Sequence, residues 1–427
     1  MRDIIAIYKP DLMRYEEMYR DLHQHPGLSL SEHHAARTAA WHLRDLAGFE
    51  VRTRIGGTGL IGVLRNGSGR TVLLRADMDG LPVEELTGLP YASRERQVDA
   101  EDGVEKPVMH ACGHDFHVTA LLAAASTLHA AQQHWSGTLV VLFQPNEERG
   151  GGARAMVDDG LYDEERHACP LPDVVLGQHV LPDMAGRVGS RRGPFGSSAD
   201  SFELTLYGRG GHASAPHRSI DPIVLAASVI LRLQTIVSRE VDPSDFAVLT
   251  VASIHAGLTE NVIADSAVLK INIRAVRRET RDRLIAAIKR IVKAECEATG
   301  VEREAKLVST HSLPLLINDD TTTAQLEGPF AEHFGDMYTA DHAALGGSED
   351  FSTLATECPN KHGGKGVPYS FWVFGGTDPT RWKEAERKGT LEKDIPNNHS
   401  AYFAPAIQPT LRTGVDAALV AALSFLT

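Results

Sequence analysis

The sequence predicts an α/β protein that carries a compact α+β insertion, and three observations lead there. Short apolar runs bounded by Gly, Asn and Asp alternate with segments of helical apolar spacing. Midway, the pattern changes to alternating strands around two helices, in the order β-α-β-β-α-β. The chain has 427 residues, and at ~100–200 residues per domain that implies two or three domains. The expected division is 1–197 and 311–427 as one interrupted domain, with 198–310 inserted into it.

The elements follow in order. Residues 32–47 have helical character and end at Gly48. Residues 49–55, 59–65 and 71–76 are strand-like and separated by glycine-rich turns, and Asn66-Gly67 is a strong hairpin signal. A helix is expected over 116–129, a buried strand over 138–143, a helix over 153–160 and a strand over 173–178. The insertion alternates at 201–207 (SFELTLY), turns helical at 222–237, and gives strands at 247–254 and 267–275. An amphipathic helix over 281–299 ends at Gly300, and 302–309 alternates again. After Ser312-Leu313-Pro314 come longer helices and one apolar strand, 369–374. No internal repeat or low-complexity segment interrupts this.

Composition excludes several classes of function. Lys and Arg number 43 and Asp and Glu 56, a net charge of −13, whereas a backbone-binding nucleic-acid protein needs a basic stripe. No apolar run approaches the ~20 residues that span a bilayer, so no membrane partner is expected. The acidic N-terminal stretch, broken by Pro10, does not read as a signal peptide. Cys112, Cys169, Cys296 and Cys358 are far apart and read as free thiols, which places the expected protein in the cytoplasm.

Two motifs are decoys. Gly57-Thr58-Gly59-Leu60-Ile61-Gly62 matches a dinucleotide fingerprint, but that motif must open a helix and these glycines lead into strand-like sequence. Asn398-His399-Ser400 fits a glycosylation acceptor, which has no meaning without export. The informative segment is Met109-His110-Ala111-Cys112-Gly113-His114-Asp115-Phe116-His117. A thiolate and an imidazole two residues apart on an extended loop can bind one centre, and that pair suits zinc or a similar borderline metal. Phe143-Gln144-Pro145-Asn146-Glu147-Glu148 places two carboxylates directly after a buried strand, where α/β sites form. One can hold a metal while the other serves as general base. His179 is expected at the end of the 173–178 strand, and His399 lies in a polar loop before Tyr402-Phe403. Cys112, His114, Glu148, His179 and His399 exceed what one open catalytic zinc needs, which implies two metals.

Taken together, these segments resemble the M20 peptidase family of dinuclear-metal amidohydrolases, in the branch of aminoacylases, hippurate hydrolases and auxin-conjugate hydrolases. The matching stretches run almost end to end: LHQHPGLSLSE, LLRADMDGLPVEE, MHACGHDFH, FQPNEERGGGARAMVDDG, GQHV, GRGGHASAPH, GGSEDFS and NNHSAYF. The resemblance implies a mixed-sheet catalytic domain interrupted by a lid and dimerisation domain, and a homodimer formed through that lid. It implies that Cys112, His114, Glu148, His179 and His399 bind the metals, with Cys112 bridging them, and that Glu147 is the general base. Asp77 then matches a carboxylate that orients a metal-side group, and Arg75 stands where other branches place a metal-binding histidine. His212 resembles the histidine that polarises the scissile carbonyl, often in the partner's site. Asn261 and Arg274 resemble residues that hold the substrate carboxylate, although Ala264 replaces a usual proline nearby. The implied cofactors are two divalent ions, zinc first, with manganese, cobalt or nickel as alternatives. The implied reaction is hydrolysis of the amide of an N-acyl amino acid, with an N-acetyl-diaminopimelate-type deacetylase or a short-peptide carboxypeptidase as the alternative. A metal-binding protein without catalysis would lack Glu147 or a ligand, and none is missing.

Overall fold

Helices α1 (Met13–Gln24) and α2 (His33–Asp45) precede strands β1 (Glu50–Ile55), β2 (Gly59–Asn66) and β3 (Thr71–Asp77). Helix α3 (His114–Ala130), β4 (Gly137–Gln144), α4 (Gly152–Asp158), β5 (Val174–Met184) and β6 (Val188–Gly189) follow. Next are β7 (Ser198–Tyr207), α5 (Pro222–Glu240), β8 (Ala247–Ala256), β9 (Ser266–Ala275), α6 (Arg278–Thr299) and β10 (Lys306–Leu313). Helix α7 (Asp320–Phe334), β11 (Tyr338–Thr339), β12 (Tyr369–Thr377) and α8 (Ile407–Leu423) come last. The structure is a computed structural model that describes residues 1–426. It divides into two compact units: Met1–Gly193 with Asn318–Ala343 and Asp350–Thr427, and Pro194–Ile317 with Ala344–Glu349.

The first unit is built on a mixed sheet in the order β1-β2-β4-β3-β5-β12-β6-β11. Its centre, β4-β3-β5-β12, is parallel. Alternate residues of these strands point to opposite faces, and both sets are buried: Val72, Leu74, Val141 and Phe143 on one, Leu73, Val140, Leu142 and Val175 on the other. That is why the strands read as continuous apolar runs. Helix α3 is buried on almost every side and packs with α8 against the sheet.

Two expectations need correction here. Asn66-Gly67 makes a turn, with Gly67 at φ +80°, but β2 and β3 are not hairpin partners. Strand β4 lies between them, antiparallel to β2 and parallel to β3. The turn is local: β4, whose Gly137 pairs with Asn66 and whose Thr138 pairs with Thr71, enters from far along the chain. The second concerns His179. The strand does not stop at Gln178; β12 pairs with it in parallel, Val373 opposite His179, and extends it to Met184. The β3–β5 pairing, however, ends at Arg75 and Gly177, so His179 stands just beyond the shorter neighbour.

The second unit is an antiparallel sheet, β8-β9-β7-β10, covered by α5 and α6 in the sequence β-α-β-β-α-β. Phe202, Leu204 and Leu206 of β7 and Leu269, Ile271 and Ile273 of β9 supply its core by alternation. Asp221 caps α5, accepting the Ile223 amide at 2.8 Å, and Pro222 takes the first helical position. The last strand lies at Lys306–Leu313, later than the expected 302–309. Residues Ala344–Glu349 join this unit from far along the chain. Arg274 Nη1 and Ser197 Oγ both donate to Gly346 O, at 3.1 and 2.9 Å. Among the described residues, one helix, α5, is long and apolar enough to cross a membrane. Its Leu225, Val229, Leu233 and Ile236 are in the core of this unit.

Candidate metal centre and active site

Strands β4, β3 and β5 run parallel and end at one edge of the first unit's sheet. Asp77 closes β3, the Glu147-Glu148 loop follows β4, and His179 rides on the extension of β5. The N-terminus of α3 brings His114 to the same edge, and the 397–400 loop brings His399. In parallel sheets this carboxyl edge is where chemistry collects, because the connections open there.

Gly113 makes the Cys112–His114 approach possible. Its φ is +80°, and a Cβ there would lie 2.4 Å from Val180 Cγ1. Cys112 Sγ is central. It lies 3.4 Å from His179 Nε2 and 3.2 Å from His399 Nε2, and His399 Nε2 is 3.4 Å from Glu148 Oε2. His114 Nε2 faces three carboxylates: Asp77 Oδ2 at 3.6 Å, Glu147 Oε2 at 3.9 Å and Glu148 Oε1 at 3.9 Å. His179 Nδ1 donates to Val180 O at 2.7 Å, so its Nε2 carries the lone pair. His399, at φ +69°, is anchored by its amide to Ala111 O at 2.8 Å. Asn398 Nδ2 donates to Cys112 O and Val180 O, which fastens that loop to the site.

A layer of buried groups holds these side chains, and the motif reading passed over most of it. Asp79 accepts the amides of Glu147 (3.1 Å) and Glu148 (3.0 Å) and the Ser29 hydroxyl (2.7 Å). Its Oδ1 also lies 3.3 Å from His114 Nδ1, in the manner of a carboxylate that orients a metal-binding imidazole. The signal was present: Asp77 and Asp79 are two apart on extended chain and share a side. Glu32 accepts the Asn146 amide at 2.9 Å, so two carboxylates fix three successive amides of the Asn146-Glu147-Glu148 loop. His117, one helical turn after His114, is a brace. Its Nδ1 donates to Asp77 Oδ1 at 2.5 Å and its Nε2 accepts the Val180 amide at 2.8 Å, so neither nitrogen is left for a metal. Arg75 is ion-paired to Asp77 (2.6 Å) and Asp350 (3.5 Å) and buried, a structural cation behind the site.

The electrostatics of the cluster suit a cation. Burial opposes the charged form of His114, yet Asp77, Asp79 and Glu148 outweigh it and raise its pKa to about 10. Burial raises Glu148 to about 8, with Asp79 and Asp77 adding to it. Burial, then Glu148, Glu147 and Asp77, push the Cys112 thiol well up. Asp77 goes the other way: burial raises it, but Arg75, His114 and His117 prevail and hold it well below its usual range. So many acidic groups around one point keep protons that a cation would displace. His114 Nε2 and Glu148 Oε1 are buried without a hydrogen-bond partner, a costly arrangement unless something coordinates them. Spacings of 3.2–3.9 Å agree with donors placed ~2.0–2.3 Å from a shared ion. The thiol, imidazole and carboxylate donors fit zinc-like divalent ions.

The remaining expected residues belong to the second unit. His212 pairs with Val262 in a short ribbon, and Asn261 O accepts the Ala213 amide at 3.0 Å, so these two lie together. His212 Nδ1 accepts from the Ser214 amide (3.0 Å) and hydroxyl (2.7 Å). Its proton is therefore on Nε2. Arg274 is on β9, paired in register with Ala199 and Val248.

Comparison with known proteins gives one answer. Residues 73–385 match the model of peptidase family M20/M25/M40. The chain is 38% identical over 340 residues to a hippurate hydrolase of Campylobacter jejuni, covering 79% of this chain and 84% of that protein. It is 31% identical over 432 residues to thermostable carboxypeptidase 2 of Saccharolobus solfataricus, covering 99% of each. A dinuclear metal binding peptidase of the M20 family from Bacillus subtilis superposes over 100% of both chains with TM-score 0.74 and 25% identity. With thiol, imidazole and carboxylate donors gathered on the carboxyl edge of its sheet and these relatives, the chain belongs to peptidase family M20 and is a hydrolase of that family.

Proposed function

We propose that this protein hydrolyses the amide bond of N-acyl amino acids, with two divalent ions and Glu147 as general base and acid. The observation that carries the reading is the convergence of Cys112, His114, Glu148, His179 and His399, with Glu147 beside them. These five would hold the ions, zinc being best suited to a site with a thiolate. When bound, such ions polarise the scissile carbonyl and acidify a water molecule. Glu147 takes the proton of the attacking water and returns it to the departing nitrogen. Asp79 and Glu32 keep the Glu147 backbone fixed while this happens. His212, protonated on Nε2, donates to the carbonyl oxygen as negative charge develops there. Asn261 and Arg274 hold the substrate carboxylate by charge-assisted hydrogen bonds. The second unit is a lid through which two copies pair, and His212 serves the partner's site. Support for the pairing surface comes from α5, where Ile223, Val224 and Leu231 are exposed, and from the free edge of β8.

The carboxypeptidase relative favours a second reading, cleavage of short peptides. Metal analysis of the purified protein, then a hydrolysis screen of N-acyl amino acids of graded acyl length against dipeptides, separates the two. Turnover of acyl amino acids above dipeptides supports the first reading. The reverse order supports the second, and no hydrolysis of either class by metal-loaded protein ends both.

A further inference from the structure

Away from this centre, Asp21, His25 and His34 form a second cluster, where the end of α1 meets the start of α2. Their ligand atoms all lie within 4.8 Å of one another. Asp21 offers one oxygen to each ring: Oδ2 lies 2.7 Å from His34 Nε2, and Oδ1 lies 3.4 Å from His25 Nδ1. The two imidazole centroids are 5.0 Å apart. We propose that Asp21, His25 and His34 form an additional, external binding site for a borderline divalent transition ion such as zinc. The site is independent of the amide-hydrolysis reading.

Donor chemistry sets the class of ion. Two imidazoles and one carboxylate select zinc, nickel, copper or cobalt over magnesium or calcium, which prefer oxygen. Three protein donors leave a position open to water. Because Asp21 and His25 are exposed, the ion keeps part of its hydration and the donors are not desolvated. The His34 Nε2 proton, directed at Asp21 Oδ2, stands where the ion would sit, and His25 Nδ1, which donates to Asp21 O at 2.9 Å, must turn from that carbonyl to join it. A tetrahedral ion ~2.0–2.2 Å from each donor spaces the donors ~3.3–3.6 Å apart. The Asp21–His34 pair must therefore open from 2.7 Å while any wider pair closes from within 4.8 Å, shifts within the reach of exposed side chains. A neighbouring cation opposes binding as well. Arg37 donates from Nη2 to His34 Nδ1 at 3.0 Å, which keeps the His34 proton on Nε2, the nitrogen that must face the ion. Arg37 also brings a positive charge. It is exposed and must swing aside when the ion binds. Occupation would tie α1 to α2 and stabilise the folded state by linkage.

The test uses metal-loaded protein, dialysed and then titrated with zinc, with bound equivalents counted. Wild type, His34→Ala and Arg37→Ala are compared, and their unchanged activity before zinc addition verifies that the variants fold. Wild type should take up one more equivalent than His34→Ala and show a zinc-dependent rise in melting temperature that His34→Ala lacks. Arg37→Ala should fill the same site at severalfold lower zinc, because the competing donor and charge are gone. Magnesium should produce neither effect. Equal uptake by wild type and His34→Ala overturns the proposal, as does an Arg37→Ala variant that binds no more tightly than wild type.

Discussion

Glu147 and Glu148 are sequence neighbours with different surroundings, and their substitutions should separate cleanly. Glu148 Oε1 is buried without a partner and its Oε2 faces His399, whereas Glu147 stands 3.9 Å from His114 with its amide held by Asp79. Glu147→Gln should retain metal and lose roughly 10²–10⁴-fold in kcat, the usual worth of a proton-transfer group. Glu148→Gln should bind metal poorly. Metal content measured beside kcat checks both, and equal metal loss would reverse the assignment. Asp79 touches the site only through backbone amides and His114 Nδ1. Asp79→Ala should therefore cost roughly 10–100-fold in metal affinity or activity, as loss of a partner behind a metal ligand does. Unaltered kcat and metal binding in that variant would show that the clamp is unnecessary.

At the level of elements, the junction of loop and α3 is the most constrained point. Gly113 combines φ +80° with a Cβ position 2.4 Å from Val180 Cγ1. Gly113→Ala should destabilise the protein by about 1–3 kcal/mol, as strain at a special φ does, and reduce metal content. Adding Val180→Ala removes the steric part and leaves the conformational part. The double variant should recover some stability relative to Gly113→Ala, with a measurable coupling in denaturant titrations. Full additivity would mean that the clash is absorbed elsewhere. The turn into α4 is under similar constraint: a Cβ on Gly152 would meet Pro145 O at 1.6 Å, so the helix can begin there only with glycine.

For the whole molecule, pH reports on a buried ion group that ties α1 to α3. His23 Nδ1 lies 2.6 Å from Asp115 Oδ2 and Nε2 3.2 Å from Glu85 Oε1. Burial disfavours the imidazolium, but Asp115 and Glu85 overcome it and raise the pKa from 6.5 to about 9. A raised histidine stabilises most below its unfolded pKa, so this contribution should be complete under pH 6.5 and fade as pH rises through about 9. Melting temperatures of wild type and His23→Gln should differ at pH 6 and converge toward pH 10. A difference that does not depend on pH would refute the charged state. Assembly has its own test. Inactive Glu147→Gln and inactive His212→Ala proteins, mixed and allowed to exchange subunits, should regain activity part of the way toward half of wild type. A mixture that stays inactive would place His212 in its own chain's site or outside catalysis.

Sequence by itself determined the alternation of buried strands and helices, because a strand buried on both faces must be largely apolar, as 139–143 and 72–74 are. It determined the second unit's strands by their period of two, and the candidate metal donors by residue type, since thiolate, imidazole and adjacent carboxylates have few bland uses together. Only the tertiary structure decided the rest. Strand β4 entered between β2 and β3 despite the Asn66-Gly67 turn, and β12 lengthened β5 past His179, because pairing energy depends on partners distant in sequence. Asp79, Glu32 and His117 became supports, and Arg75 an internal counter-charge, through contacts with partners far along the chain, from Glu32 to Asn146 and from Arg75 to Asp350. Residue chemistry is local and legible in one dimension; the hydrogen bonds that assign each residue its task form only when the chain folds back on itself.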